Sequence, residues 1–274
     1  MEKLIVFLDI DGTIVSHHKM VSKKVQYAIQ KARSNGHYVI LCTGRNKVGI
    51  QEYISIGFDG YICNSGAYIN ICQTVIFDTF FKRNDIKKII CVLHKYHIDY
   101  HLESVDITFQ SLSMNNRFLK RRENISSLTD NMRNNFNKQY HICLLDQYHY
   151  EPIQKITFMA KESKDIEQIQ KVLSHQFNII LHDIKLDDRI HGEITMTGIH
   201  KGFAVLKVMK YLCLPIENTI GFGDSMNDLE MIKTCFIGVA MKNGSLKLQN
   251  HADSICESVD EDGVYFEFLR RGII

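Results

Sequence analysis

The 274-residue chain has no tryptophan and only 2 prolines, which argues against a proline-rich linker or scaffold. Charge of one sign is not in excess. Lys+Arg 33 against Asp+Glu 31 leaves a formal charge of +2, so the chain has no global field for gripping nucleic acid or an anionic membrane. Long apolar runs are missing too: residues 4–8 and 89–93 are among the longest, far too short to span a bilayer. The first residues, Met1-Glu2-Lys3, lead straight into a strand-like run and show no signal-peptide pattern. The 8 cysteines form no CxxC and sit mostly in apolar contexts, as in Ile40-Leu41-Cys42, so they read as reduced, buried thiols of a cytoplasmic protein. No P-loop or Gly-x-Gly-x-x-Gly occurs, which removes support for nucleotide folds of those kinds.

What remains is an ordinary globular composition, 45% hydrophobic and 23% charged, at a length that suits two domains or one core with a large insertion. The first third alternates buried apolar runs (4–8, 38–42, 61–63) with helical patterns, one of them capped by Ser22 and ended by Gly36. Residues 67–69 and 74–77 flank a polar turn and read as a hairpin. The last third returns to the strand–helix alternation: a helix over 201–212, runs at 219–222 and 236–239, and a short helix near 229–232. This order predicts an α/β fold, a Rossmann-like doubly wound parallel sheet with right-handed crossovers. The middle mixes helices (84–97, 164–177) with short strands (142–145, 155–158) and reads as an inserted α+β domain. We therefore expect a discontinuous core of residues 1–81 and 191–274 around an insertion at 82–190.

Within the insertion, the locally basic stretch 115–139, with Arg117, Lys120, Arg121, Arg122, Arg133 and Lys138, lacks interleaved aromatics beyond Phe118. It reads as a solvated face rather than an RNA surface. His94, His97 and His101 fall across an expected helix-to-strand boundary, so a solvated cap surface is favoured over a metal site.

The informative polar residues all follow apolar runs. Asp9-Ile10-Asp11-Gly12-Thr13 follows the first, Thr43-Gly44-Arg45 the second, Asn64-Ser65-Gly66 the third, and Gly223-Asp224-Ser225-Met226-Asn227-Asp228 the run ending at Phe222. In an open parallel sheet ligands bind beyond the carboxyl ends of the strands, so four strands deliver these groups to one rim. Carboxylates forced together repel unless a cation sits among them. Asp9, Asp224 and Asp228 with a backbone carbonyl form a hard, all-oxygen set suited to Mg²⁺. Lys201, at a helix start, adds positive charge and Thr43 a hydroxyl, while Gly12 and Gly44 let backbone N–H groups approach an anion. The ensemble reads as a phosphoryl-transfer site.

On these residues the chain resembles the haloacid-dehalogenase-like phosphohydrolases, specifically the Cof-type (IIB) branch with an α+β cap. The resemblance implies that Asp9 is the nucleophile and Asp11 the general acid/base, which meets the metal only through its backbone carbonyl. It implies that Thr43 in Cys42-Thr43-Gly44-Arg45 binds the phosphoryl group. Lys201 in Gly198-Ile199-His200-Lys201-Gly202 then neutralises nucleophile and phosphate, and Asp224 and Asp228 serve the metal. The segments 239–244 and 262–264 also follow the branch's pattern. Arg45, Asn64 and Asn227 are candidates near the substrate. His200 departs from the small or hydroxyl residue more usual before the lysine.

The implied activity is Mg²⁺-dependent hydrolysis of small-molecule phosphate monoesters, such as sugar phosphates or a phosphorylated cofactor, through an aspartyl-phosphate. The partner is then a small phosphorylated metabolite, without nucleic acid or membrane; the sequence identifies no protein partner. Two alternatives stand beside it: a phosphosugar mutase of the same superfamily, and a non-catalytic regulatory protein that retains the fold.

Overall fold

A computed structural model describes residues 2–16, 20–123, 127–182 and 189–274 of the chain. Its strands, in chain order, are β1 (Ile5–Leu8), β2 (Tyr38–Cys42), β3 (Gly60–Cys63), β4 (Tyr68–Ile71), β5 (Thr74–Asp78), β6 (Asp99–Glu103), β7 (Thr108–Gln110), β8 (Ile142–Leu144), β9 (Lys155–Ala160), β10 (Phe177–Leu181), β11 (Ile190–Met196), β12 (Thr219–Gly223), β13 (Ile237–Met241) and β14 (Ser254–Cys256). They form two sheets, one in each of two compact units. The first unit holds Met1–Gly44, Ile50–Asp78 and Ile199–Ile274; the second holds Arg45–Gly49 and Thr79–Gly198.

The first unit carries the eight-stranded sheet β14-β13-β12-β1-β2-β3-β4-β5. From β14 to β3 every pairing is parallel; β3, β4 and β5 then run antiparallel, so 67–77 forms a hairpin. The central strands are buried on both faces, which is why they read as unbroken apolar runs rather than alternating ones. Helix Lys201–Leu212 packs Ala204, Val205 and Val208 against Ile5, Phe7 and Ile40. The chain winds outward from β1 to β2 and β3, and after the insertion outward on the other side through β12, β13 and β14. The winding therefore reverses between β1 and β12, the place where an open α/β sheet leaves a crevice at its strand ends.

The second unit is a six-stranded sheet, β10-β11-β9-β6-β7-β8. Helices Arg83–Lys95 and Ser163–Leu173 bury Ile86, Ile89, Leu93, Ile166, Ile169 and Leu173 against one face, which presents Tyr100, Leu102, Ile156, Phe158 and Ile194. The insertion runs past the expected boundary at 190. Strand β11 is hydrogen-bonded between β10 and β9, so residues 191–196 complete this sheet rather than begin the core, and the unit ends at Gly198. The apolar period of 164–177 was readable, but β10 and β11 were not, because His191 and Glu193 interrupt the apolar pattern of β11.

Alternation places those polar residues on the sheet's other face. There the Lys155 ammonium, buried, lies 3.1 Å from both Glu103 and Glu193, and Thr157 donates to Glu103 at 2.6 Å. His101 is not simply solvated, since its Nε2 lies 3.2 Å from Glu103. Burial alone would raise the Glu103 carboxyl, but Lys155 and His101 overcome it and hold it below the ordinary carboxylate range. Lys155→Met leaves two buried carboxylates without their common partner. It is expected to lower stability by about 3–5 kcal/mol, measured by urea unfolding; a change within error would show that the ion pair is not what holds this face together. Of the basic stretch, residues 124–126 and the side chains of Arg121 and Arg122 lie outside the described residues. Among the described residues no helix is long and apolar enough to cross a membrane.

Candidate active site

Strand register assembles the site. Leu8 pairs with Phe222 and with Leu41, so Asp9, Gly223 and Cys42 stand level at the carboxyl ends of three adjacent strands. The Asp9 N–H continues the ladder by donating to the Phe222 carbonyl at 3.1 Å, which fixes the residue at the strand's last rung. Cys42 pairs with Ile62, and the Thr43 N–H donates to the Ile62 carbonyl at 2.9 Å. Asn64 follows β3 at the same rim, wholly buried, in a left-handed conformation (φ 48). The Ser65 N–H donates to the Thr43 carbonyl at 3.1 Å, joining the second and third loops.

Lys201 enters from the first turn of helix Lys201–Leu212. Its side chain is 0% exposed, and its Nζ lies 2.6 Å from Asp9 Oδ1 and 2.5 Å from Asp228 Oδ1. Residues 192 apart along the chain are thus bonded inside the protein. His200 caps this helix, its Nδ1 accepting from the Phe203 N–H at 3.1 Å, which is the task a small hydroxyl residue performs elsewhere. Imidazole nitrogen substitutes for the hydroxyl, so the departure from the branch's pattern leaves Lys201 in place.

Asp228 is fully committed. One oxygen receives Lys201; the other accepts from the N–H groups of Asp224 at 3.0 Å and Ser225 at 3.2 Å. It therefore orients both the ammonium and the Asp224 loop. Asp224 differs: its Oδ1 is buried and has no hydrogen-bond partner among the described residues. Among the described residues, Asp9, Asp224 and Asp228 are the one group of three or more acidic, His or Cys ligands whose atoms come within 4.8 Å of one another.

The electrostatics follow from three buried carboxylates around one ammonium. Burial, then Asp228, pushes the Asp9 carboxyl up to about 7 against the opposing pull of Lys201. Burial and the neighbouring Asp228 and Asp9 hold Asp224 well above the ordinary range. Burial alone would lower the Lys201 ammonium, but Asp228 and Asp9 outweigh it and hold it well above its usual value. The cluster is short of positive charge. An orphaned carboxylate oxygen and an all-oxygen donor set are what a hard divalent cation needs, so the residues fit Mg²⁺.

The remaining candidates lie as follows. Gly12 has φ 81, and a Cβ there would run into the Asp224 carboxylate, so only glycine lets the first loop lie against the fourth. Asp11 is exposed on the same turn. Asn227 accepts from Ser225 Oγ at 2.7 Å within its own turn. Gly44 ends the first unit's first segment, whereas Arg45 belongs to the second unit and donates to the Gly49 carbonyl at 3.0 Å. Sequence reasoning passed over the structural part of Asn243 and Ser245. The Asn243 Nδ2 donates to the Gly12 carbonyl at 2.8 Å, and the Ser245 N–H to the Asp224 carbonyl at 2.7 Å. Their signal was available, since they follow β13 as the other site residues follow their strands.

Residues 6–268 match the family model of haloacid dehalogenase-like hydrolases, and the chain belongs to that family. It is similar to the 5-amino-6-(5-phospho-D-ribitylamino)uracil phosphatase YitU of Bacillus subtilis, 26% identical over 270 residues that cover 95% of this chain and 94% of the relative. Among solved structures its fold is similar to that of the subclass IIB sugar phosphatase BT4131, with a TM-score of 0.78 and 20% identity over 99% of this chain and 100% of the other. It is likewise similar to the phosphatase BT1666 of Bacteroides thetaiotaomicron, with a TM-score of 0.78 and 22% identity over 99% and 96% of the two chains. The chain is thus a haloacid dehalogenase-like hydrolase with the fold of the subclass IIB enzymes.

Proposed function

We propose that this phosphatase hydrolyses small phosphate monoesters, with Mg²⁺ as cofactor, through an aspartyl-phosphate on Asp9. The observation that carries the reading is the buried contact of Lys201 with Asp9 and Asp228, beside an Asp224 oxygen that has no hydrogen-bond partner among the described residues. Asp9, Asp224 and the Asp11 carbonyl would hold the cation, with Asp228 behind them. When bound, it supplies charge neutralisation and a fixed orientation for the phosphate oxygens.

The chain's own residues do the rest. An Asp9 oxygen attacks phosphorus in line, and the Asp11 carboxyl gives its proton to the departing ester oxygen. In the second half Asp11 takes a proton from water, which attacks the phosphoryl group and releases Asp9. Lys201 favours the ionised form of Asp9 and aims it, while the Thr43 hydroxyl and the N–H groups near Gly12 and Gly44 bind the phosphoryl oxygens. Arg45, Asn64 and Asn227 are candidates for contact with the substrate. The phosphatase relatives, one named for a phosphoribitylamino-uracil and one a sugar phosphatase, support phosphorylated sugars and sugar alcohols as the first compounds to try.

The test is phosphate release over sugar phosphates, pyridoxal phosphate, flavin mononucleotide and p-nitrophenyl phosphate, with and without chelator. Release that stops in chelator and returns with Mg²⁺ is expected; release unaffected by chelator would reject the metal-assisted scheme. Turnover that depended on a sugar bisphosphate activator would favour a mutase, and silence across the panel a regulatory protein. A readout independent of turnover is thermal unfolding. Mg²⁺ at a hundred times its Kd should add about 2.7 kcal/mol, a rise in Tm of roughly 5 °C or more. The rise should vanish in Asp224→Asn, and an equal rise in that variant would place the cation elsewhere.

A further inference from the structure

We propose that Asn243 is a positioning residue for Asp11, acting through the Gly12 carbonyl. The inference rests on the reading of Asp11 as the leaving-group acid. Asp9 is fixed by its strand, its burial and Lys201, but Asp11, two residues on, is exposed on the turn that follows. Its backbone is set by that turn, through the bridge to Val15. The base of the turn is well anchored: the N–H groups of Thr13, Ile14 and Val15 converge on the Ile10 carbonyl at 3.2, 3.0 and 2.9 Å, and the Gly12 N–H reaches the Val15 carbonyl at 2.8 Å. Its outer peptide, between Gly12 and Thr13, is instead tethered across 231 residues by the Asn243 side chain.

That tether is itself oriented. Asn243 Oδ1 accepts from the Val259 N–H at 2.7 Å while Nδ2 donates to Gly12 at 2.8 Å. Turning the amide over would set acceptor against acceptor and donor against donor, so only one orientation satisfies both ends. The same loop braces the other acidic segment. The Ser245 N–H donates to the Asp224 carbonyl, and Gly244 lies so close to Asp224 that a Cβ would strike its backbone. Residues 243–245 therefore fix the spacing between the Asp9–Val15 turn and the Asp224 loop.

The chemistry makes that spacing matter. As the bond from Asp9 to phosphorus forms and the bond from phosphorus to the ester oxygen breaks, the Asp11 proton must pass to that oxygen. A donor misplaced by about 1 Å loses on the order of a hundredfold in rate. A nitrophenolate departs without needing the proton, whereas an alkoxide does not. A misplaced acid is therefore felt on poor leaving groups, while a general loosening of the fold is felt equally on all.

The experiment compares kcat/KM of wild type and Asn243→Ala on p-nitrophenyl phosphate and benzyl phosphate, with Tm recorded for each protein. The variant should lose less than about threefold on the nitrophenyl ester and about tenfold or more on the benzyl ester. Equal losses on both esters, or none on either, overturn the inference. If Asn243→Ala does not fold, Asn243→Asp keeps the acceptor for Val259 and replaces the donor to Gly12 by a carboxylate oxygen that repels its carbonyl, and the same selective loss is required of it. A wild type silent on both esters would instead refute the hydrolytic reading itself, and this inference with it, so the two failures are told apart by which protein shows them.

Discussion

Asp9→Asn should lower kcat by about four orders of magnitude or more, because the variant keeps the shape of the side chain and removes the attacking oxygen's charge. The same change should not weaken the fold. Asp9 sits among Asp228, Asp224 and Asp11, and Lys201 retains its second partner, Asp228, when Asp9 loses its charge. The sign of the stability effect follows from the raised carboxyl. A group whose folded pKa lies near 7, above its unfolded value, contributes stability that is complete below the ordinary carboxylate range and lost as pH rises through about 7. In chelator at pH 8 the wild type therefore holds an ionised, crowded Asp9 that the variant lacks. The variant should melt at the same temperature or higher. Phosphate release and Tm under those conditions check both halves; wild-type-like turnover would remove Asp9 from the chemistry, and a Tm several degrees lower would mean that its charge stabilises the site.

How much of this was legible in the sequence depends on what makes each element. The parallel core was readable because strands buried on both faces are apolar throughout, as in residues 5–8, and because its polar residues stand where those runs stop. Asp9, Thr43, Asn64 and Asp224 all do. The second unit was harder. Its sheet has one apolar face and one carrying Lys155, Glu103 and Glu193, so β11 reads as mixed polarity, and its boundary falls where hydrogen bonding rather than composition puts it. What Asp228 does also lay beyond the sequence. Its position marks it as acidic and near the site, but only coordinates show both oxygens committed, to an ammonium and to two backbone N–H groups. The place of Asn243 after β13 marks it as near the site, but its tether between the Gly12 carbonyl and the Val259 N–H has no local pattern.

Lys201→Met should damage stability and activity together, which separates it from Asp9→Asn. Methionine matches the length of the lysine stem and fills the space at Lys201, so packing is largely preserved and the charge is what goes. Asp9 and Asp228 then face each other in a buried site with no intervening ammonium. Removing one partner of a buried ion pair costs about 3–5 kcal/mol, and here two carboxylates are stranded by one substitution. Activity should fall by about a further two to three orders of magnitude, since the ammonium offsets charge on the phosphoryl oxygens as well as on the nucleophile. Added Mg²⁺ should restore part of the lost stability, by supplying positive charge to the same carboxylates, but little of the rate. Urea unfolding with and without Mg²⁺, alongside kcat on p-nitrophenyl phosphate, measures both. A variant as stable as wild type in chelator would show that the lysine is a catalytic charge without a structural burden, and the account of the site as carboxylates held together by one buried cation would have to be given up.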